Sequence, residues 1–297
     1  MCSIPEIASQ IIEQAASKDD GENAKTIIFA GSKSVGKSTL LYSFLDKNDT
    51  PRETLVLEYM FGRKSNQKQS MEKSICHVWE YGGKLELLKN VLKTIPLKGK
   101  IFYFIMVDLS KIKTVWPCLE VCLKAFEEIE NSSGDKQVII IGGKYDLFKN
   151  YDSEIKKIIC TTLRSVAIIK NAHLFFYTSK EQAIARRIKD ILYNFGFKNE
   201  YNFKDKCTNY TKPLFIPQNG DSWEHIGLSA MTLEEVKMKH ITRISSDSEV
   251  SPNNQTGGPQ RAHAEPTLDL LAKNKYDELR KLDGLDLSID EYLNNLY

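Results

Sequence analysis

The chain has 297 residues, of which 41% are hydrophobic and 27% are charged, and its formal net charge is +2. This composition is typical of a globular protein with a packed core. So small a net charge gives no reason to expect nucleic acid or an acidic membrane as the main partner. The 6 cysteines and 5 histidines form no metal-binding motif, and the longest apolar run is too short to span a bilayer. We therefore expect a cytoplasmic protein with free thiols and no membrane insertion.

The clearest motif follows a predicted lead-in segment at residues 1–24. An apolar run, Ile27–Ala30, precedes the sequence Gly-Ser-Lys-Ser-Val-Gly-Lys-Ser, and an apolar helical pattern comes after it. A strand, this loop and a helix in that order form the G-x-x-x-x-G-K-[ST] motif, whose glycines let backbone N–H groups point at phosphate oxygens. The lysine adds a cation, and the serine hydroxyl faces Mg²⁺. The predicted phosphate ligands are Gly31, Ser34, Val35, Gly36, Lys37, Ser38 and Thr39.

Strands and helices alternate after this motif. Apolar residues at every second position from Leu55 to Phe61 predict a strand with one buried face, and residues 74–81 predict the strand that returns beside it. Continuous apolar runs predict three buried parallel strands, at 101–107, 137–141 and 174–177. Helical patterns lie at 85–95, 116–129, 155–169 and 183–195. The class predicted for residues 25–197 is α/β, with a mostly parallel six-stranded sheet and helices on both faces.

After the last of these helices the alternation ends. Turn residues and isolated aromatics predict an extended segment, 198–244, that packs on the domain and contains a short helix at 232–241. Residues 245–266 are rich in Ser, Asn, Gly and Pro, which predicts a disordered linker. Apolar residues at helical spacing and a capping-box sequence predict a helical tail at 267–297. We expect this tail either to dock on a partner or to fold back on the domain.

Three residues are predicted to bind a metal ion. Ser38 belongs to the loop motif, and Glu80 occupies the place of the aspartate in the D-x-x-G motif of GTPases. Thr54 lies at the spacing of a threonine that closes over Mg²⁺, although a residue at the edge of a strand explains it equally well. Asp108 also ends an apolar strand and is a rival to Glu80 for the metal.

The motif that recognises a guanine base is altered. Where GTPases have N-K-x-D, this chain has Gly-Lys-Tyr-Asp at residues 143–146. Asp146 can accept hydrogen bonds from guanine, and the stem of Lys144 can cover the base. Ser179 and Lys180 stand in a sequence similar to the short S-A-K loop that touches guanine. These residues favour guanine over adenine, and the predicted cofactor is GDP or GTP with Mg²⁺.

The residue expected to assist hydrolysis is also altered. Lys84 stands where a glutamine orients the attacking water, and a lysine cannot accept a hydrogen bond from that water. We therefore expect that the protein does not hydrolyse GTP efficiently and that it is not an enzyme. Two alternatives stay open. One is an active regulatory GTPase whose loops order around the γ-phosphate, and the other is a phosphate-loop kinase or ATPase in which Asp108 holds the metal.

Several longer stretches resemble the light intermediate chains of cytoplasmic dynein, and among them those of dynein-2, the motor of intraflagellar transport. The stretches are Gly31–Leu40, Leu55–Arg63, Val107–Lys111 with Trp116 and Pro117, Ile140–Phe148 and Lys212–Ile226. The resemblance implies a Ras-like domain that docks, as a non-catalytic subunit, on the tail of the dynein-2 heavy chain. Other dynein-2 and intraflagellar transport subunits are the further partners that it implies. It also implies a place in the cytoplasm, the cytoskeleton and the cilium, at the basal body and along the axoneme.

Overall fold

The computed structural model describes residues 25–65, 73–97, 99–127, 136–198, 203, 205–244 and 274–275. The range 25–244 belongs to one compact unit, and residues 274–275 belong to another. The predicted lead-in segment and linker lie outside the described residues, as does nearly all of the predicted C-terminal tail. The fold is therefore that of the first unit alone.

Within the described residues, one sheet of 7 strands runs through the first unit, in the order β2-β3-β1-β4-β5-β6-β7. The strands from β3 to β6 are parallel, whereas β2 and β7 run antiparallel to their neighbours. The strands are β1 Lys25–Gly31, β2 Leu57–Ser65, β3 Lys73–Tyr81, β4 Lys100–Asp108, β5 Lys136–Gly143, β6 His173–Phe176 and β7 Phe215–Ile216. The helices are α1 Lys37–Phe44, α2 Leu88–Leu92, α3 Ile112–Glu127, α4 Tyr145–Phe148, α5 Ser153–Ile169, α6 Gln182–Phe197, α7 Trp223–Ile226 and α8 Leu233–Arg243.

Two apolar layers cover the two faces of the sheet, which explains the continuous apolar runs in the central strands. Ile27 and Phe29 of β1 lie in the layer beneath α1 and α6. Ile28 and Ala30 lie in the opposite layer, beneath α2, α3 and α5. A strand that is covered on both faces needs apolar residues at every position. The parallel order also brings the carboxyl ends of β1, β3, β4, β5 and β6 to one edge, where ligands bind in such sheets.

The sheet has one strand more than the six that the sequence predicts. The extra strand, β7, comes from the segment predicted as extended, and Leu174 and Phe175 of β6 pair with its two residues. Phe215 and Ile216 are both buried, as is Leu214 before them. A strand of two residues has no periodicity that a sequence could reveal, so this pairing depends on how the segment packs. The short helix predicted in the same segment is present as α8, which begins after the capping residue Thr232.

The prediction that the alternating apolar residues of β2 are buried is wrong. Tyr59 is 45% exposed and Phe61 is 61% exposed, while Met60 between them is buried. Gly62 lies so close to α6 that a Cβ atom there would stand 2.8 Å from Phe197 Cζ. The alternation correctly assigned Tyr59 and Phe61 to one face of β2 and Met60 and Gly62 to the other. It could not show that the face with Gly62 is the one that packs against α6.

Replacing Asp221 with alanine should destabilise the fold. Arg164 of α5 donates through Nε and Nη2 to the Asp221 carboxylate, at 2.6 and 2.9 Å. Removing the carboxylate leaves a buried guanidinium without this partner, so the free energy of unfolding should fall by about 3 kcal/mol in urea titrations. The control is Asp205→Ala, which removes an exposed carboxylate 3.4 Å from Arg187 and should cost less than about 1 kcal/mol. Equal losses would contradict the importance of the buried pair.

The stability of the fold should fall as the pH drops below about 6.5. His173 on β6 is buried, and the Gln218 N–H donates to its Nδ1 at 3.0 Å. Burial, helped by the charge of Lys100, lowers its pKa from 6.5 to about 4. Between those values the unfolded chain binds a proton that the folded chain does not, so His173 alone should lower the free energy of unfolding by up to about 3 kcal/mol. The buried His240, whose pKa burial also lowers to about 4, adds to the same fall. For His173→Gln, urea titrations between pH 7 and pH 4.5 should show that the free energy of unfolding depends less steeply on pH than in the wild type. An unchanged slope would contradict this role of His173.

Candidate phosphate and metal site

The loop between β1 and α1 is held against the end of β4. Gly31 has a φ of 133°, and a Cβ atom there would lie 2.0 Å from the carbonyl oxygen of Met106. The N–H of Ser32 donates to the same carbonyl oxygen at 2.8 Å. Gly36 has a φ of 103°, and α1 begins directly after it without a side-chain cap. Both glycines are therefore required by the backbone, and the first N–H groups of α1 are available to an anion.

Lys37 is buried beneath this loop. The residue is 6% exposed, and its Nζ donates to the carbonyl oxygen of Ser32 at 2.9 Å. Burial lowers the pKa of Lys37, and the charge of Glu80 acts in the opposite direction. A buried cation next to a ring of backbone N–H groups suits the oxygens of a phosphate chain.

Glu80, at the end of β3, lies opposite the start of α1. The hydroxyl of Ser38 donates to its Oε1 at 2.7 Å. Its Oε2 is buried and has no hydrogen-bond partner among the described residues. Burial raises the pKa of Glu80, although the Ser38 hydroxyl, the Lys37 charge and a contact with Thr54 oppose the shift. A hydroxyl and an incompletely bonded carboxylate together form a suitable set of oxygen ligands for Mg²⁺.

A cleft of about 240 Å³ contains these groups. It brings together the three predicted metal ligands, Ser38, Glu80 and Thr54, and the predicted phosphate ligands from Ser34 to Thr39. Gly31 lies outside it and instead fixes the loop to β4. The sequence did not identify five further lining residues: Lys33, Pro51, Arg52, Glu53 and Gly82.

Three of the missed residues, Pro51, Arg52 and Glu53, come from the loop before β2, which has no periodic pattern. Gly82 allows this loop to approach the end of β3, because a Cβ atom there would lie 1.8 Å from the carbonyl oxygen of Thr54. Lys33 and Glu53 form an ion pair of 2.9 Å across the mouth of the cleft. The double glycine after Glu80 was the one signal in the sequence that could have indicated such a close approach.

Asp108, the rival for the metal, does not line the cleft. Its Oδ2 accepts a hydrogen bond from Lys144 Nζ at 2.7 Å. Its Oδ1 accepts from the N–H and the hydroxyl of Ser110, at 2.9 and 2.6 Å. Both oxygens therefore have protein partners, and the geometry favours Glu80 over Asp108 as the metal ligand.

The residues predicted to contact the base gather beside the cleft, at the ends of β5 and β6. Asp146 accepts from the Thr178 hydroxyl at 2.7 Å and pairs with Lys180 Nζ at 3.0 Å. Burial acts to raise the pKa of Asp146, but the hydrogen bonds from Thr178 and Lys180 outweigh it and lower the pKa overall. Ser179, between these two partners, is exposed. Thr178 was missed in the sequence, although it lies within the predicted loop.

Gly143 connects this cluster to the phosphate loop. A Cβ atom at this position would lie 2.5 Å from Val35 Cγ2 and 3.1 Å from the Val35 carbonyl oxygen. The asparagine of the usual N-K-x-D motif therefore has no space here. Lys144 follows with a φ of 58°, and its Nζ donates a hydrogen bond to Asp108. The two candidate regions thus contact each other directly.

The chain has clear relatives among known proteins. It is 33% identical over 266 residues to cytoplasmic dynein 2 light intermediate chain 1 of Bos taurus, an alignment that covers 75% of this chain and 74% of that protein. It is 32% identical over 279 residues to the protein of the same name from Homo sapiens, with 79% and 78% covered. The chain belongs to the family of cytoplasmic dynein 2 light intermediate chains. The resemblance identified in the sequence is thereby confirmed.

Two further comparisons give matches for this chain. The family model described as Roc, the Ras of Complex domain of DAPkinase, matches residues 26–146 and confirms the predicted Ras-like fold class. That range contains the phosphate loop, the three candidate metal ligands and Asp146. A crystal structure of the dynein light intermediate chain's conserved domain aligns with 80% of this chain and 96% of that chain, at 12% identity and a TM-score of 0.49.

In this light intermediate chain, Glu80→Gln should have opposite effects with and without ligand. An amide of the same shape removes a buried charge, so we expect the melting temperature of the ligand-free protein to stay the same or rise. The further stabilisation by Mg²⁺ added with GDP should be lost, because an amide oxygen is a much weaker metal ligand than a carboxylate.

The matched comparison is Asp108→Asn, measured in the same thermal melts. This change weakens the ion pair with Lys144, so it should lower the melting temperature whether or not Mg²⁺ is present. Loss of the Mg²⁺ effect in Asp108→Asn, with the effect retained in Glu80→Gln, would reverse the assignment of the metal ligand.

Proposed function

We propose that this protein is a non-catalytic subunit of the cytoplasmic dynein-2 motor, and that it docks on the tail of the heavy chain. The observation that carries the proposal is the 33% identity, over 75% of the chain, to a cytoplasmic dynein 2 light intermediate chain. In this role it supports retrograde intraflagellar transport and cilium assembly, together with other dynein-2 and intraflagellar transport subunits. Its proposed location is the cytoplasm, the cytoskeleton and the cilium, at the basal body and along the axoneme. Among the described residues, none of the helices combines the length and apolar character needed to cross a bilayer.

In this proposal GDP or GTP with Mg²⁺ is a structural ligand. The loop N–H groups and Lys37 hold the phosphates, Ser38 and Glu80 hold the metal, and the cluster around Asp146 meets the base. A ligand that binds only the folded state stabilises it by mass action. Lys84 is exposed and lies outside the cleft, and its ammonium group has no acceptor with which to orient a water molecule. The arrangement therefore favours binding without efficient turnover.

Association with the heavy chain should not depend on the nucleotide. We expect the full chain, co-expressed with the dynein-2 heavy-chain tail, to retain that tail through a wash at moderate salt. Lys37→Ala removes the buried cation and should weaken GDP binding about 100-fold, a change of about 2.7 kcal/mol, while the heavy chain is still retained. The control is Lys33→Ala, in the same cleft but with its side chain 77% exposed, which should change GDP affinity much less.

Two outcomes of that experiment would contradict the proposal. If the wild-type chain does not retain the heavy chain, the proposed role as a dynein-2 subunit is ruled out. Retention that differs between GDP and a non-hydrolysable GTP analogue would instead favour the regulatory GTPase, whose loops order around the γ-phosphate.

Turnover of GTP by the purified protein should be slow. We expect single-turnover rates no higher than the intrinsic rates of unstimulated GTPases, about 10⁻² s⁻¹ or less. The physical reason is that Lys84 replaces the residue that orients the attacking water. Rates of roughly 5–20 s⁻¹, which are typical of stimulated GTPases, would contradict a non-catalytic subunit. Lys84→Gln, assayed in parallel, tests whether this position limits the rate.

A further inference from the structure

A second cavity lies between α5 and the short helix α8, on the face of the sheet that α1 and α6 do not cover. Its volume is about 140 Å³. Both helices and the loop before α8 supply its apolar lining, which consists of Ile158, Leu228, Met231 and Val236. Protein interiors keep few voids larger than a water molecule, and a cavity of about 150 Å³ can hold benzene. The α5–α8 cavity, as we call it, therefore has room for one phenyl ring or one branched aliphatic side chain.

Polar atoms at this helix contact are incompletely bonded. Ser165 of α5 lines the cavity and is 1% exposed, and its Oγ has no hydrogen-bond partner among the described residues. The Thr162 hydroxyl is 3.1 Å from Nδ1 of the buried His240, whose Nε2 likewise has no partner in the described part of the chain. Unbonded buried polar atoms and an unfilled cavity both cost stability. Such features are uncommon where two helices pack for stability alone.

The rim of the cavity is positively charged. Lys239 and Arg243 lie one turn apart on α8, and both are exposed. The Nζ of Lys239 donates to Met231 Sδ at 2.8 Å, which holds the ammonium group beside the apolar wall. None of the described residues that line the cavity is acidic. An occupant with an apolar group inside and negative charge at the rim is therefore complementary to it.

The two carboxylates nearest to the rim along these helices do not neutralise it. Glu235 of α8 accepts from the N–H and the hydroxyl of Thr232 in the capping box, at 2.7 and 3.1 Å. Glu154 of α5 lies before the cavity, and the exposed Lys157 follows it on the same helix. Within residues 136–244 as described, neither carboxylate forms an ion pair with the cations of the rim. Both cations are therefore available to carboxylates of another molecule.

We propose that the α5–α8 cavity takes one apolar side chain from an acidic segment of a partner protein. A side chain of phenylalanine or leucine size packs against Ile158, Met231 and Val236. Carboxylates on either side of it in the partner pair with Lys239 and Arg243. Two cations one turn apart match two carboxylates of one chain better than the single carboxylate of a small molecule. An apolar anchor within a polar rim is also the usual anatomy of a protein interface.

This inference adds an interaction surface to the proposed function and does not depend on the nucleotide site. It can be tested through the methionine in the cavity wall. In full-length protein labelled with ¹³C at the methionine methyl groups, Met231 reports on the cavity. Met238, which is 62% exposed and does not line the cavity, is the internal control. A heptapeptide of glutamates with a central phenylalanine should shift the Met231 signal in a saturable way and leave the Met238 signal unchanged.

Three further probes separate the anchor, the charge and the chain. The same peptide with a central alanine lacks the anchor, and the peptide with lysine in place of glutamate has the wrong charge. Both should bind at least about tenfold more weakly, a difference of about 1.4 kcal/mol. Phenylacetate offers a ring and one carboxylate without a chain. Equal binding of the alanine peptide, or tighter binding of phenylacetate than of the glutamate peptide, would overturn the proposal, the latter in favour of a small-molecule site.

The protein variants provide a matched comparison. Arg243→Glu reverses a charge at the rim and should weaken binding of the glutamate peptide at least about tenfold, again about 1.4 kcal/mol. The control is Arg186→Glu, the same change at an exposed residue of α6, which packs on the other face of the sheet. This variant should bind the peptide as the wild type does. Binding kept in Arg243→Glu, or an equal loss in Arg186→Glu, would overturn the proposal, because the rim of the cavity would then not be what attracts the peptide.

Discussion

Two opposite charges are buried beneath the loop between β1 and α1, and the candidate site depends on them. Lys37 is 6% exposed and Glu80 is 1% exposed. Each has partial compensation, from the Ser32 carbonyl oxygen and from the Ser38 hydroxyl. Burial of an ionised group without full compensation is costly. Charged groups with perturbed pKa values in a cleft are typical of functional sites, and here they match a phosphate and a metal ion.

The backbone around these charges meets the requirements of a phosphate loop, whereas a side chain needed for hydrolysis is replaced. Gly31 fits against Met106 of β4, and Gly143 at the end of β5 fits against Val35, so the phosphate loop is fixed to the ends of both strands. Asp108 holds Lys144 at the junction. By contrast, Lys84 replaces a water-orienting glutamine. This combination is the basis for the proposal that a nucleotide would serve here as a structural ligand.

The hairpin of β2 and β3 has one packed face and one exposed face. The inner face of β2 packs on α6 through Gly62, and the outer face keeps Tyr59 and Phe61 exposed. The exposed face and the cleft meet through the segment from Thr54 to Leu57, which lines the cleft at one end and enters β2 at the other.

The sequence by itself determined the alternation of strands and helices, the phosphate loop and the three candidate metal ligands. These features are local, because periodicity and motif spacing report on residues that are near each other along the chain. Only the tertiary structure decided that Asp108 pairs with Lys144, that Arg52 and Glu53 line the cleft, and that β7 joins the sheet. It also decided which face of β2 is exposed. Each of these depends on contacts between segments that are distant in sequence, and alternation along a strand cannot show which face another element will cover.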